Sequence, residues 1–373
     1  MLYITYAVVE QFSIECRKIK TKARMLLSCT DALVMIQHKV CKFLDDPNCV
    51  AVRMFTMDFS KAFDSVNHYL LANKLKNIPL NPYIVNWWLN FLQDRMQRVV
   101  YNNVICDWKQ VNKGTIQGSV SGPYLFSIYL NDLEISIGEE TICFKYADDC
   151  TIVVPVFKNN DAAAGLVNTF LEWSCSNLMK CNPSKCKELV FRKKRHTDVH
   201  IDMISNIPQC SELTVLGLNF QQDCRFDKHV KSKLGKANKC LYVIRSLRKE
   251  GCNQFEVDYL FKTIVLPNVT NALVVYGASE PELTTVQDFL DRCYKRRYIS
   301  ARLNIRALLE KQDRKRFRKI FKHSIHPLHE QVPKAKVIDY NLRYKNSARM
   351  LINTELFKNT FINRLTYKYD LHM

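Results

Sequence analysis

Phe144-Lys-Tyr-Ala-Asp-Asp149, set within Thr141–Val156, is the stretch that decides the fold. Ile142, Phe144 and Tyr146 alternate with other residues before the acidic pair, and Cys150, Ile152, Val153 and Val154 follow it. That pattern predicts strand, tight turn, strand, with two adjacent carboxylates at or beside the tip. Asp is also an ordinary turn residue, so the pair taken alone reads as a plain turn.

A second stretch changes that reading. Asn48–Asp58 rises through Val50, Val52, Phe55 and Met57 into Asp58, then continues Phe59-Ser-Lys-Ala-Phe-Asp64. A β-rich run ending in a carboxylate, upstream of an Asp-Asp hairpin, suggests a divalent-metal site assembled from two strands. Hard cations such as Mg²⁺ take oxygen ligands, normally one or two carboxylates plus substrate phosphates. A pair of such ions can stabilise both the attacking and the leaving oxygen of a phosphoryl transfer.

The 373 residues are enough to bury a sizeable core and to form two or three subdomains. Lys plus Arg at 55 against 36 acidic residues give a formal charge of +19. That balance suits a polyanion such as nucleic acid. A membrane surface is the competing partner, but no apolar run reaches spanning length. The 15 cysteines are scattered, with none spaced Cys-x-x-Cys. This favours reduced thiols in an intracellular protein, nuclear or cytoplasmic, over a disulfide framework. Leu2–Val9 is apolar but lacks the basic flank and cleavage site of a secretory signal.

Along the chain, Thr30-Asp31 is placed to cap a helix through Ala32, Leu33, Ile36, Val40 and Leu44. Leu70, Leu71 and Leu75 mark a helix ending before Pro79, and Pro82 opens another with Ile84, Val85, Trp88 and Leu92 as its apolar stripe. Arg98–Val111 reads as paired strands, Gly114–Gly122 as a glycine-punctuated loop, and Pro123–Ile137 as a helix. A helix from Asp161 to Leu178, capped by Asn160 or Asp161, follows the hairpin; Glu188–Arg192 and Leu213–Phe220 read as single strands. Strands and helices mixed around one sheet give an α+β class.

These motifs fall in an order that resembles a reverse transcriptase of the non-LTR retrotransposon kind, jockey-like in flavour. Phe55–His68 resembles the family's first catalytic motif, Gly114–Leu133 its glycine-containing motif, and Phe144–Asp149 its aspartate pair. Asn182-Pro-Ser-Lys-Cys-Lys187 and Leu216-Gly-Leu-Asn-Phe220 resemble the two palm motifs that follow. The resemblance runs from about Ser28 to the C-terminus. It implies a right-hand polymerase palm, an antiparallel sheet with packed helices, plus a helical thumb and a basic helical C-terminal extension. The expected divisions are 1–47 for partial fingers, 48–222 for the palm, 223–290 for the thumb and 291–373 for the extension.

The implied reaction is RNA-directed DNA synthesis, in which a DNA primer is extended on an RNA template with deoxynucleoside triphosphates and two Mg²⁺ ions, Mn²⁺ being a possible substitute. Asp58 and Asp148 become the principal metal ligands, with Asp149 a weaker ligand or electrostatic support. Lys185 becomes the lysine that neutralises or protonates departing pyrophosphate; as a bare sequence feature it is a solvated turn lysine. Phe63 becomes the ring beneath the incoming sugar, crowding a 2′-hydroxyl, and is otherwise a core phenylalanine. Gln117 and Gly118 become contacts to template and nucleotide, Gly118 by permitting close backbone approach. Asp64 is aligned too, but the chemistry does not demand it and a capping role suits it better.

Val230, Leu234, Ala237, Leu241, Ile244 and Leu247 repeat at helical spacing, with basic residues around them. Lys231, Lys236, Lys239, Arg245 and Arg248 on that helix, and Arg296 and Arg297 in the basic stretch Arg292–Lys322, are the expected phosphate-contacting residues. Such a face is in general also just solvated, and a basic run can serve as a localisation signal. His323-Ser-Ile-His-Pro-Leu-His329, with Cys293, is a weak match to a zinc site.

Departures from the family pattern are Ile116 in place of proline and Ser121 in place of leucine. Lys18–Leu27 offers only a distorted hint of the arginine-rich fingers loop, with Arg24 retained, and an endonuclease domain is not seen. The expectation is an N-terminally truncated element, with a catalytically inactive nucleic-acid-binding remnant as the alternative. An RNA-dependent RNA polymerase is the rival within the enzyme class, and Phe63 argues against it.

Overall fold

Cys49–Met57 is the central strand, and every residue in it except Arg53 and Thr56 is apolar. A run of that kind is what a strand covered on both faces requires. The computed structural model describes residues 28–158, 160–182, 184–193, 200–277, 279–323, 326–332 and 352–368. Leu2–Val9, and the Lys18–Leu27 stretch with Arg24, lie outside the described residues.

The sheet comprises β1 (Cys49–Met57), β2 (Cys143–Tyr146), β3 (Asp149–Phe157), β4 (Asn160–Asp161), β5 (Lys187–Arg192) and β6 (Gln209–Cys210). Its order is β4-β3-β1-β5-β6, with β2 also lying on β3. The β5–β6 pair is parallel and the others are antiparallel.

Six helices position the site: α1 (Cys29–Asp45), α2 (His68–Lys76), α3 (Pro82–Leu92), α4 (Gly122–Tyr129), α5 (Ala163–Ser176) and α6 (Asp227–Lys249). Strand alternation sends Val52, Met54, Val153 and Leu189 to one face, into a core with Ile36 of α1 and Ile244 of α6. Phe55, Met57, Ile152 and Val154 enter a second core with Leu71 of α2, Trp88 of α3, Phe126 of α4 and Phe170 of α5. The α+β palm architecture expected from the motifs is therefore present.

Local chemistry explains most of the helix starts. Asn67 caps α2 by accepting from Leu70 N at 3.0 Å, and Asn81 caps α3 ahead of Pro82. The cap of α1 is Ser28 rather than Thr30-Asp31, its Oγ accepting from Asp31 N at 3.2 Å. Asp161 lies in β4, yet its carboxylate accepts from Ala163 N at 3.0 Å at the start of α5.

Two expected elements differ. The helix read over Pro123–Ile137 stops at Tyr129. The Lys145 ammonium donates to the carbonyls of Leu130 and Leu133 at 2.7 and 2.8 Å, so the chain turns there to meet β2. Leu213–Phe220 is a hairpin, Glu212–Val215 with Leu218–Gln221, because Leu216 and Gly217 both adopt positive φ, 46° and 81°. Paired positive φ values are what a two-residue hairpin turn of the primed kind needs.

The C-terminal helices close over α1. Asp31, at its first turn, is buried and paired with Arg316. Asp45, at its last, accepts from Thr354 N at 2.6 Å. Arg364 binds Asp313 at 2.8 Å, and Leu309, Ile320 and Leu365 join the first core. No described helix is long and apolar enough to cross a membrane.

Arg53 lies at the centre of the sheet with 1% exposure. Its Nε binds Glu188 Oε1 at 2.6 Å, Nη1 binds Asp161 Oδ2 at 2.6 Å, and Nη2 donates to Asp202 O at 2.8 Å. One guanidinium thus ties β1 to β4, β5 and the segment after β5. Removing one partner of a buried pair strands the other charge, at about 3–5 kcal/mol. Arg53→Met is expected to lose stability of that order in denaturant unfolding, and Arg53→Met/Glu188→Leu to recover a large part of it. A double variant no better than the single one would show that the charge pair is not the origin of the loss.

Candidate active site

The site is generated by strand register. Pairing of β1 with β3 runs through Thr56↔Thr151 to Met57↔Cys150, so the next positions outward are Asp58 and Asp149. On the other edge of β3, Tyr146 pairs with Asp149, leaving Ala147-Asp148 as a two-residue turn. Ala147 takes φ 51°, uncommon for a residue with a Cβ and suited to a tight hairpin. Asp58, Asp148 and Asp149 are thereby gathered at one end of the sheet.

Their electrostatics bear this out. The Asp149 carboxyl is pushed above the ordinary carboxylate value, first by desolvation and then by the charges of Asp148 and Asp58, with Lys185 opposing. Asp58 Oδ2 is buried and accepts no hydrogen bond among the described residues. Lys185 Nζ stands 3.4 Å from it, an ion pair without hydrogen-bond geometry. Backbone bonds deliver Lys185 to that place: Asn182 N donates to Asp58 O at 2.8 Å, and Ser60 N to Lys180 O at 2.8 Å.

These oxygens are of the kind a hard cation takes, and Asp58 Oδ2, paired with Lys185 but accepting no hydrogen bond among the described residues, has room for one. Among the described residues no three acidic, His or Cys side chains are close enough to cage an ion by themselves. An ion there would need substrate phosphates to complete its coordination beside one or two carboxylates. The zinc reading of His323–His329 fares differently. His326 is buried with Nδ1 accepting from Leu328 N, and His329 Nδ1 lies 3.0 Å from Ile320 O, so both rings serve local structure.

The residues expected to contact nucleotide lie on two segments zipped together. Thr115 N donates to Phe63 O at 2.8 Å, Gly114 N to Val66 O at 2.7 Å, and His68 Nε2 lies 2.7 Å from Gly114 O. Phe63 is half-buried, stacked on Phe126 with ring centroids 4.3 Å apart, so it both packs on the core and keeps part of its ring open. Gln117 Nε2 donates to Asp64 Oδ1 at 2.9 Å, giving Asp64 a partner across the loop rather than a capping role. Gly118 is exposed at φ 79° with open space where a Cβ would stand.

Two residues the sequence reading did not single out help hold this arrangement. At Gly114, φ 87°, a Cβ would sit 3.1 Å from the Asp64 backbone, so this glycine lets the two segments meet. Lys145, its pKa lowered by burial, braces the aspartate turn from below through its carbonyl contacts with the segment after α4. The signal for Gly114 was its place at the head of the loop; Lys145 gave none, since a lysine between Phe144 and Tyr146 looks like a solvated strand position.

The basic residues divide. Lys231, Lys236, Lys239 and Arg245 are exposed along α6, and Arg296 and Arg297 are exposed after Glu280–Lys295. Arg248 is half-buried and reaches the carbonyls of Arg296 and Arg297 at 3.4 and 3.3 Å. Arg316, inside the densest basic run, points inward to Asp31.

Residues 11–220 match the family model for reverse transcriptase (RNA-dependent DNA polymerase). The chain belongs to the reverse transcriptase family. It is 28% identical over 233 residues to "Probable RNA-directed DNA polymerase from transposon X-element" of Drosophila melanogaster, covering 59% of this chain and 25% of that protein. To the RNA-directed DNA polymerase from mobile element jockey of Drosophila funebris it is 26% identical over 239 residues, again 59% and 25%. The chain thus spans about a quarter of the length of the curated relatives it matches. A telomerase structure from Candida tropicalis, in complex with a fragment of telomeric RNA, superposes with TM-score 0.48 at 12% identity, over 79% of this chain and 47% of that one. The fold assignment rests on the sheet and the family match, not on that likeness.

Carboxylate crowding has a measurable consequence. The folded chain keeps the Asp149 proton to higher pH than the unfolded chain, so ionising Asp149 erodes stability as pH rises from the ordinary carboxylate value. In chelator, Asp149→Asn is expected to raise Tm at neutral pH and to leave it unchanged below that value. A Tm lower than wild type at neutral pH would contradict the crowding.

Proposed function

We propose that the chain is the palm and thumb of an RNA-directed DNA polymerase of a non-LTR retrotransposon, extending a DNA primer on an RNA template with deoxynucleoside triphosphates. The observation that carries this reading is the register that sets Asp58 against the Asp148-Asp149 turn, with Asp58 Oδ2 lacking a hydrogen-bond partner among the described residues. In this reading residues 1–47 are partial fingers, 48–222 the palm, 223–290 the thumb and 291–373 a basic extension, some of whose described residues contact α1.

Asp58 and Asp148 would hold the metal, with Asp149 as electrostatic support. When bound, two Mg²⁺ ions, or Mn²⁺ in their place, would neutralise charge on the attacking 3′-oxygen and on the leaving pyrophosphate. The side chains supply the rest. Lys185 is near enough to Asp58 to face the triphosphate and to neutralise or protonate the departing group. Phe63, fixed by Phe126 behind it, offers its open part beneath the sugar and crowds a 2′-hydroxyl. Gln117, positioned by Asp64, and Gly118, with open space before it, would contact template and nucleotide. Lys231, Lys236, Lys239, Arg245, Arg296 and Arg297 would hold duplex phosphates without reading sequence, with Arg248 the weaker member because it also binds carbonyls.

Primer extension on an RNA template tests the reading. The wild-type chain is expected to add deoxynucleotides with Mg²⁺ or Mn²⁺, and Asp148→Asn to lose extension while retaining primer–template affinity. Extension by Asp148→Asn at the wild-type rate would sink the site. Binding without extension by the wild-type chain would favour an inactive remnant.

A further inference from the structure

Between α3 and the Gly114–Gly122 loop the chain makes a two-tier hairpin. Arg95–Gln97 pairs with Lys109–Val111 at its base, and Val100–Tyr101 with Val104–Ile105 at its tip. Asn102 and Asn103 close the tip with positive φ, 45° and 66°. Val99, Val100, Tyr101, Val104, Ile105 and Trp108 are each more than half exposed. A free two-stranded hairpin is marginal in water, and so many exposed apolar side chains on one small element mark an interaction site.

Charge selects the occupant. Four cations, Arg95, Arg98, Lys109 and Lys113, lie in or beside the hairpin, against the acids Asp94 and Asp107. The Arg98 guanidinium lies over the Trp108 ring at 4.6 Å, so the two planar groups together make a cationic stacking surface. A second copy of a chain carrying +19 would bring like charge to this arm, whereas a polyanion is attracted to it. The root of the arm is fixed beside the nucleotide loop, since Lys113 bridges to Asn67 and the next residue, Gly114, is bonded to Val66 and His68.

We propose that the hairpin 95–111 is an arm that binds the single-stranded RNA template beside the nucleotide loop. Bases stack on Trp108 and Tyr101, the valines and Ile105 cover their edges, and Arg95, Lys109 and Lys113 meet phosphates. Aromatic stacking with a basic track is the general means of holding single strands without reading sequence. The assignment rests on the polymerase reading only for the name of the strand; the affinity for single-stranded RNA does not require catalysis.

The test uses the full chain and a single-stranded oligouridine, with affinity followed by fluorescence anisotropy across a salt series. Tyr101→Ala/Trp108→Ala is expected to weaken binding by at least tenfold with an unchanged salt slope. Arg95→Gln/Lys109→Gln/Lys113→Gln is expected to flatten the slope by two or three contacts, each worth about 0.7 for a single strand. Because a variant can lose structure, the wild-type chain is also photocrosslinked to 4-thiouridine RNA, and crosslinks are expected within residues 95–111. Crosslinks elsewhere, or RNA affinity unchanged in both variants, overturn the proposal. A shift from dimer to monomer in the aromatic variant with RNA binding intact also overturns it, in favour of a self-interface. Extension by the wild-type chain with arm-independent RNA binding sinks the arm alone. Absent extension with arm-dependent RNA binding sinks the polymerase reading and leaves the arm standing.

Discussion

The pairing of Cys49–Met57 with Asp149–Phe157 is the constraint on which the rest depends. Side chains in a strand alternate with period two, so slipping this ladder by one residue would send every core-facing group to the opposite core. Val52 and Met54 would leave the α1 core, and Phe55 and Met57 would leave the α2–α5 core. The same slip would carry Asp58 away from Asp149. Hydrophobic burial on both faces therefore fixes the position of the acidic residues, although no acid contributes to it. Arg53 adds a directional lock, since its guanidinium reaches Glu188 and Asp161 at 2.6 Å each only in this register.

At the end of the ladder the physics reverses. Asp149 is held above the ordinary carboxylate value by desolvation and two neighbouring acids, and Asp58 Oδ2 has no hydrogen-bond partner among the described residues. Both features cost stability in the isolated chain, and both are relieved by positive charge. Lys185 supplies some of it at 3.4 Å without forming a hydrogen bond. Crowded carboxylates at the end of one ladder, with a buried acceptor open beside them, are the arrangement that the proposed cation site requires.

What the sequence disclosed follows from which interactions are local. The Ala147-Asp148 turn, β1 and the start of α3 were legible because alternation and Pro82 act within a few residues. The end of α4 was not, because the Lys145 ammonium that takes the Leu130 and Leu133 carbonyls comes from a later strand. Arg53 did carry a signal, a charge inside a strand with no polar face, but its partners lie far along the chain. Arg316 shows the opposite failure: it looks like its basic neighbours and is distinguished only by Asp31, at the far end of the chain. The single strand read over Leu213–Phe220 became a hairpin because Leu216, not only Gly217, accepts positive φ, which propensity argues against.

The central claim is that Asp58 and Asp148 together make a divalent-cation site for nucleotide chemistry. Mn²⁺ titration followed by electron paramagnetic resonance, with a chain-terminated primer–template and a deoxynucleoside triphosphate present, measures it without requiring turnover. The account predicts saturable Mn²⁺ binding by the wild-type chain that is lost or at least tenfold weaker in both Asp58→Asn and Asp148→Asn. Unchanged Mn²⁺ binding in both variants would contradict it.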